Sequence, residues 1–78
     1  MMPRYRVVLH CDDQFNMDRA VRALLYIIMS LSLNDAIAAA FQTQTYGSAH
    51  VVTCPREIAE FYAVSLKEFD LIATIEPA

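Results

Sequence analysis

The 78-residue chain contains one glycine, three prolines and no tryptophan. With so little glycine and proline it is unlike a flexible linker or a disordered tail, and it has no glycine-rich loop of the type that holds a phosphate. A chain of this length forms one domain at most, so we expect a single domain over residues 1–78. Such a domain buries only about 60% of its extended surface, and the 56% hydrophobic composition supplies its core.

Basic residues and cysteines are also few. Six Lys and Arg stand against nine Asp and Glu, for a net charge of −3, and without a clustered basic face the chain is not expected to bind nucleic acid. Two cysteines, Cys11 and Cys54, are fewer than a small secreted scaffold normally has, which favours a reducing, cytosol-like compartment. Met1–Arg4 lacks the apolar segment of a signal peptide. The longest apolar run, Ala23–Met29, is much shorter than the roughly 20 residues that cross a membrane, so no membrane association is expected.

The hydrophobic pattern predicts three strands and three helices in the order βααβαβ. Apolar, β-branched segments predict strands at Arg4–Leu9, Ala49–Thr53 and Leu71–Ile75. Helical periodicity predicts helices at Met17–Met29, from Ser32 to about Gly47, and from Pro55 to a turn at Asp70. This content predicts an α/β fold, more narrowly α+β: a two-layer sandwich with three helices packed on one face of a three-stranded antiparallel sheet.

Capping residues mark the ends of the predicted helices. Asn16 is a candidate N-cap of the first helix, and Ser32 with Asp35 forms a candidate capping box for the second. Gly47 is expected to end the second helix in a left-handed conformation, and Pro55 to occupy the first position of the third. Apolar residues at helical spacing are expected to be buried: Val21, Leu24, Leu25 and Ile28; then Leu33, Ala36, Ile37, Ala40 and Phe41; then Ile58, Phe61, Tyr62, Leu66 and Phe69.

The first strand leads directly into an acidic loop that begins with His10, Cys11, Asp12 and Asp13. A catalytic dyad of His10 and Cys11 is a weak hypothesis, because neighbours on a strand point to opposite faces. A zinc site needs about four ligands, usually from separated pairs. We therefore expect His50 to be a cross-strand neighbour rather than a ligand, and we expect no metal or other cofactor.

Asp12 and Asp13 are also weak candidates for acid–base catalysis, because nothing nearby supplies a nucleophile or an oxyanion hole. A pair of carboxylates binds an ammonium group well when further acceptors complete its hydrogen bonds, so a cation site is the better functional interpretation of the loop.

Four segments of the chain resemble the ClpS adaptor family, and the resemblance extends over nearly the whole sequence. Tyr5–Asp13 is similar to the family opening, a strand followed by Asn-Asp-Asp or Asn-Asp-Asn. Tyr46–Ala49 stands at the family's Asn-Gly-x-Ala, Ala59–Tyr62 at its Ala-Glu-x-Tyr, and Ile75–Ala78 at its Glu-Pro ending. The cyanobacterial and plastid type is the most similar.

The resemblance implies the fold just predicted and a non-catalytic function. The family binds proteins that begin with a bulky hydrophobic residue and delivers them to an AAA+ unfoldase of the ClpA or ClpC type, which feeds the ClpP protease. The implied partners are N-degron proteins or peptides and the N-terminal domain of the unfoldase. The implied state is a monomer in the cytoplasm, or in the plastid stroma of a plant.

The resemblance also assigns a substrate-binding site. In the family, a loop Asn, the following Asp and a His of the second helix accept hydrogen bonds from the substrate α-ammonium, beside an apolar pocket. Asp12 occupies the position of the family Asp that faces the ammonium group, and Asp13 is next to it. Met17 occupies the position of a family gatekeeper residue that blocks β-branched side chains. Positions that line the pocket are Ala20, Thr43 and Leu71.

Three site positions depart from the family. Cys11 replaces the Asn and is a poor acceptor. Gln44 replaces the His, and its amide oxygen can still accept. Ala40 replaces a Met of the pocket wall, which should enlarge the pocket. Losing one acceptor costs about 1–3 kcal/mol, which is roughly tenfold to a hundredfold in affinity.

Glu57 and Glu60 stand in the region by which the family docks on the unfoldase, although the family Lys that follows is Tyr62 here. Three hypotheses result. The leading one is an N-degron adaptor. The alternative is a divergent paralogue that docks on the unfoldase and modulates its choice of substrate without recognising N-termini. The third is a small enzyme or metal protein built on His10 to Asp13.

Overall fold

The computed structural model describes residues 3–78, and its element order confirms the predicted βααβαβ arrangement. Residues 1 and 2, part of the segment assessed for a signal peptide, lie outside this range. Within residues 3–78, no helix has the length and apolarity needed to cross a membrane. The elements are β1 (Arg4–His10), α1 (Met17–Ile27), α2 (Leu33–Tyr46), β2 (Ser48–Pro55), α3 (Arg56–Lys67) and β3 (Ile72–Pro77).

The first strand, β1, is the central strand of the sheet, whose order is β2-β1-β3. Both neighbours run antiparallel to β1, as predicted. At the end of β1, His10 lies opposite Ser48 of β2 and Ile72 of β3. The start of β2, the start of β3 and the loop after β1 therefore meet at one end of the sheet.

The strand β2 contains one residue more than its partner. Val7 pairs with Val52 and Val8 pairs with His50, so Val51 has no direct partner and forms a β-bulge. Side chains alternate between the two faces of a strand, and the extra residue shifts this alternation by one. Ala49 and Cys54, five positions apart, are consequently both buried. The pairing also confirms that His50 is a cross-strand neighbour of β1.

The core lies between the sheet and the helices. Val7 and Leu9 of β1 have no exposed surface, and neither do Leu24, Ile28 and Leu66 from the helical layer. Burying each of these large side chains stabilises the fold by about 1.5–3 kcal/mol. Because one face of the sheet is covered by the helices, the loop after β1 starts from a fixed position.

The predicted caps of α1 and α2 are confirmed. Asn16 Oδ1 accepts a hydrogen bond from Arg19 N at 2.9 Å. Ser32 Oγ accepts from Asp35 N at 3.0 Å, and Asp35 Oδ2 accepts from Ser32 N at 3.4 Å, which completes the capping box. Gly47 ends α2 with φ of 94°, in the left-handed region.

Other predicted boundaries were wrong. The helix α1 ends at Ile27 rather than Met29. Pro55 is not the first residue of α3: it ends β2 and precedes the helix with an extended backbone, φ −58° and ψ 152°. Its fixed φ suits both a strand end and a residue that precedes a helix, so proline alone does not distinguish the two positions.

The buried faces of α2 and α3 differ in part from the prediction. In the first helix and its C-cap, Leu24 and Ile28 are buried as predicted, whereas Val21 and Leu25 are half-buried. In α2, Leu33, Ile37 and Phe41 are exposed. In α3, Ile58 and Phe61 are exposed. Ala36, Ala40 and Leu66 are buried as predicted. The buried residues that were not predicted are Ala39 and Thr43 in α2, and Ala59 and Ala63 in α3.

We expect Gly47→Ala to lower the free energy of unfolding by about 1–2 kcal/mol, because a side chain disfavours the left-handed conformation. A Cβ atom at this position would meet no other atom within 4 Å, so the loss would come from the backbone alone. Urea unfolding followed by circular dichroism measures the change. Gly47→Asn is the matched control and should cost less, because Asn tolerates this conformation better. Equal stability of Gly47→Ala and the natural protein would contradict the argument.

Candidate functional site

The acidic loop follows β1 directly and folds into a tight turn. Phe15 N donates to Asp12 O at 3.0 Å, and Gln14 N donates to the Asp12 side chain at 3.2 Å. Cys11, Asp12 and Asp13 are all exposed. One oxygen of Asp12 is thus fixed by the loop backbone, and its carboxylate remains accessible to a ligand.

A backbone hydrogen bond joins this loop to the end of α2. Cys11 N donates to Gly47 O at 2.8 Å, and Gly47 N donates to Thr43 O at 2.9 Å. Gln44 lies in the last turn of α2, between Thr43 and Gly47, and is exposed. The acidic loop and the turn that contains Gln44 are therefore neighbouring segments, although they are about 30 positions apart in the sequence.

A cavity of about 510 Å³ opens beside the acidic loop. It brings together Asp12 and Leu71, two of the residues assigned from the resemblance. Its remaining lining was not predicted, because these residues come from the acidic loop, α1, α3, the turn after α3 and β3, and no local motif connects them. They are Gln14, Arg19, Lys67, Asp70 and Ile72.

The other residues assigned to the apolar pocket do not line this cavity. Met17 is partly buried and packs against the core. Ala20 lies one turn further along α1, where i and i+3 side chains are neighbours. Ala20, Ala40 and Thr43 have no exposed surface, and Thr43 Oγ1 donates to Ala39 O at 2.8 Å. These three positions are therefore part of the closed interior.

The groups considered for catalysis or metal binding have other partners. His10 Nε2 lies 2.7 Å from Thr74 Oγ1 on β3, and Cys11 Sγ lies 3.8 Å from Asp12 O. His50 Nε2 lies 2.9 Å from Thr53 Oγ1. Within residues 3–78, no three His, Cys, Asp or Glu side chains are grouped as metal ligands. Each histidine thus has a threonine hydroxyl as its partner.

The two glutamates assigned to docking are exposed on the first turns of α3. Glu60 Oε1 accepts from Arg56 Nε at 2.9 Å. Glu57 forms no ion pair with any residue of the range 3–78. Three large apolar residues of the same helix are exposed as well: Ile58, Phe61 and Val64.

The two cysteines are reduced and differ in exposure. Cys11 is exposed, whereas Cys54 is buried against the helices. Burial raises the pKa of the Cys54 thiol above its usual value, although the nearby Arg4 opposes this effect. The thiolate is the reactive form of cysteine, so Cys54 should be the less reactive of the two.

Comparisons with known proteins agree with this fold. The family model described as ATP-dependent Clp protease adaptor protein ClpS matches residues 1–74. The chain is 41% identical over 75 residues to the ClpS adapter of Synechococcus elongatus, covering 96% of this chain and 79% of that protein. It is 35% identical to the chloroplastic CLPS1 of Chlamydomonas reinhardtii, covering 96% of this chain and 46% of that protein.

A solved structure is similar over its whole length. The structure of Agrobacterium tumefaciens ClpS2 bound to L-phenylalaninamide superimposes with a TM-score of 0.88, at 27% identity and with 100% of both chains covered. The fold and these matches define a non-catalytic adaptor of a protease. The chain belongs to the ClpS family of ATP-dependent Clp protease adaptor proteins, as the sequence resemblance predicted. An adaptor of this family works with a Clp unfoldase and its substrates, and the enzyme hypothesis is excluded.

We expect iodoacetamide to modify Cys11 much faster than Cys54 in the folded protein near pH 7.5. Cys11 is accessible, whereas burial protects Cys54 and keeps it protonated to higher pH than a free thiol. Mass spectrometry of Cys11→Ser and Cys54→Ser variants separates the two rates. Equal rates in both variants under native conditions would contradict the assignment, and equal rates in denaturant serve as the control.

Proposed function

We propose that residues 1–78 act as a single ClpS-like domain that binds proteins with a bulky hydrophobic N-terminal residue. The domain delivers them to an AAA+ unfoldase of the ClpA or ClpC type for degradation by ClpP. It acts as a monomer, in a bacterial cytoplasm or a plastid stroma. The exposed carboxylate of Asp12, at the mouth of a cavity, is the observation that best supports the proposal.

Asp12 is the partner of the substrate ammonium group. Its carboxylate provides the negative charge, and hydrogen bonds between ionised groups are about twice as strong as neutral ones. Gln44 lies on the adjacent turn and supplies an amide oxygen as a further acceptor. The similar Agrobacterium protein supports this role, because L-phenylalaninamide has a free α-amino group and a benzyl side chain.

The first side chain of the substrate enters beside Met17 and displaces it. Ala20, Ala40 and Thr43 have no exposed surface, so a ligand reaches them only after a neighbouring side chain moves. Methionine is unbranched and adopts alternative conformations easily, which makes Met17 the movable element. A β-branched first residue is wide at Cβ and clashes before Met17 has moved aside.

We expect peptides that begin with Phe, Tyr, Trp or Leu to bind with micromolar or tighter affinity, and peptides that begin with Ile or Val to bind poorly. Fluorescence anisotropy measures each affinity. N-acetylation of the Phe peptide should abolish binding, because it removes the positive charge. If the free and acetylated peptides bind equally well, or if none binds, N-terminal recognition is wrong.

Two substitutions sharpen this experiment. Asp12→Asn should weaken binding of the Phe peptide by roughly tenfold to a hundredfold, because a charged hydrogen bond is lost. Cys11→Asn should strengthen it by a similar factor, because Asn supplies the acceptor that Cys11 lacks. Asp18→Asn is the matched control: Asp18 is exposed on α1 and pairs with Arg22.

The docking surface on the unfoldase includes Glu57 and Glu60. Both are exposed at the start of α3, beside the apolar side chains of Ile58 and Phe61, which have 43% and 62% of their surface exposed. An apolar patch of this kind, bordered by charges, is typical of a protein interface.

We expect Glu57→Lys to weaken binding to the N-terminal domain of a ClpC-type unfoldase by at least about fivefold, because it reverses a charge at the interface. Glu57 has no intrachain ion pair in the described range, so its loss should leave the fold intact. Biolayer interferometry measures the affinity. Glu68→Lys, at the other end of α3, is the control, and an equal loss for both variants would refute the assignment.

Two observations favour the alternative function, in which the protein docks on the unfoldase and modulates its substrate choice without recognising N-termini. Cys11 stands where an acceptor is needed, and three pocket positions are closed. Binding of the unfoldase domain together with failure of every free N-terminal peptide would favour this alternative.

A further inference from the structure

The cavity beside the acidic loop has an unusual distribution of charge. Four of its seven lining residues are charged: the acids Asp12 and Asp70, and the bases Arg19 and Lys67. The ion pairs found within residues 3–78 involve none of these four side chains. Two positive and two negative groups thus surround one cavity of about 510 Å³ without neutralising one another in pairs.

The turn after α3 fixes two of the four groups at the cavity. Asp70 has φ of 62°, in the left-handed region, and Asp tolerates this conformation better than most residues do. Asp70 N donates to Lys67 O at 3.0 Å, and Leu71 N donates to Leu66 O at 3.2 Å. This closed turn fixes the backbone from Lys67 to Leu71, and Lys67, Asp70 and Leu71 all line the cavity.

The charge balance of the cavity changes when an ammonium group binds to Asp12. The four charges sum to zero in the free protein. Once the substrate ammonium neutralises Asp12, Arg19 and Lys67 outweigh Asp70, and the cavity has a net charge of +1. The part of the cavity that remains free is therefore complementary to an anion.

We propose that this cavity is a subsite for the side chain of the second residue of the substrate, and that it prefers a carboxylate there. This inference rests on the proposed recognition of the N-terminus. Successive Cα atoms of a chain are about 3.8 Å apart, so a second side chain starts close to an ammonium held by Asp12. Leu71 and Ile72 offer apolar surface for its aliphatic part, and Arg19 and Lys67 offer donors for its carboxylate.

The subsite shares Leu71 with the pocket proposed for the first side chain. The other residues assigned to that pocket, Met17, Ala20, Ala40 and Thr43, do not line the charged cavity. Asp12 belongs to the charged cavity and also binds the ammonium, so it connects the two. A substrate would thus be selected at two consecutive positions.

The test compares peptides that begin with Phe and differ only in the second residue: Gln, Glu or Lys. We expect the Phe-Glu peptide to bind about two- to fivefold more tightly than Phe-Gln, the size typical of an exposed ion pair, and Phe-Lys to bind more weakly than Phe-Gln. Because salt screens exposed charges, the Glu preference should shrink between low and high ionic strength. Fluorescence anisotropy measures all three affinities.

Substitutions in the subsite should change the ratio of the Phe-Glu and Phe-Gln affinities by more than they change the affinity for Phe-Gln itself. Arg19→Gln and Lys67→Gln should each move the ratio of the two affinities towards one. Asp70→Asn should raise the ratio, because it removes the remaining negative charge and keeps a residue that tolerates the left-handed backbone. Arg22→Gln is the matched control, since Arg22 is on the same helix as Arg19 and pairs with Asp18.

The outcomes separate this inference from the function on which it rests. Tight binding of Phe-Gln with no preference for Glu would overturn the subsite and leave N-terminal recognition intact. A preference for Glu at the third position instead of the second would also overturn it. Failure of all free Phe peptides would contradict N-terminal recognition and the subsite together.

Discussion

The pairing of β1 with a strand on each side is the constraint on which the rest of the structure depends. Its two sets of backbone hydrogen bonds place the starts of β2 and β3 beside the end of β1. The acidic loop leaves β1 at this point. Gly47 alone separates α2 from β2, and the turn at Asp70 precedes β3. Three segments that are distant in the sequence therefore meet at one end of the sheet, and the candidate site is built there.

The sequence was sufficient to predict structural features that depend on local hydrogen bonds. It was insufficient to predict features that depend on distances between helices and strands. The capping box of Ser32 and Asp35, and the left-handed Gly47, follow from residues within one turn of each other. The buried faces of α2 and α3 do not, because Ala39, Ala59 and Ala63 are buried there whereas Ile37 and Phe61 are exposed. By hydrophobicity alone, Ile37 and Phe61 are expected to be buried in preference to alanine. The distance between the sheet and the helices reverses this preference.

The candidate site likewise contains some residues that the sequence could predict and others that it could not. Asp12 could be singled out because it follows a strand directly, and the family resemblance gave it a role. Arg19, Lys67 and Asp70 had no comparable signal, because only the folded chain brings them to one cavity. Family resemblance transfers roles to matching positions, and it says nothing about residues that surround the site in this chain alone.

The bulge at Val51 affects the free edge of β2, in addition to placing Cys54 in the core. An edge strand such as β2 exposes a row of unpaired N–H and C=O groups, which another chain can use as a template for aggregation. A bulge interrupts the regular spacing of these groups and twists the strand. One inserted residue therefore makes this free edge a poor match for a straight strand from another copy of the protein, and so helps to keep a small, hydrophobic chain from assembling through its sheet.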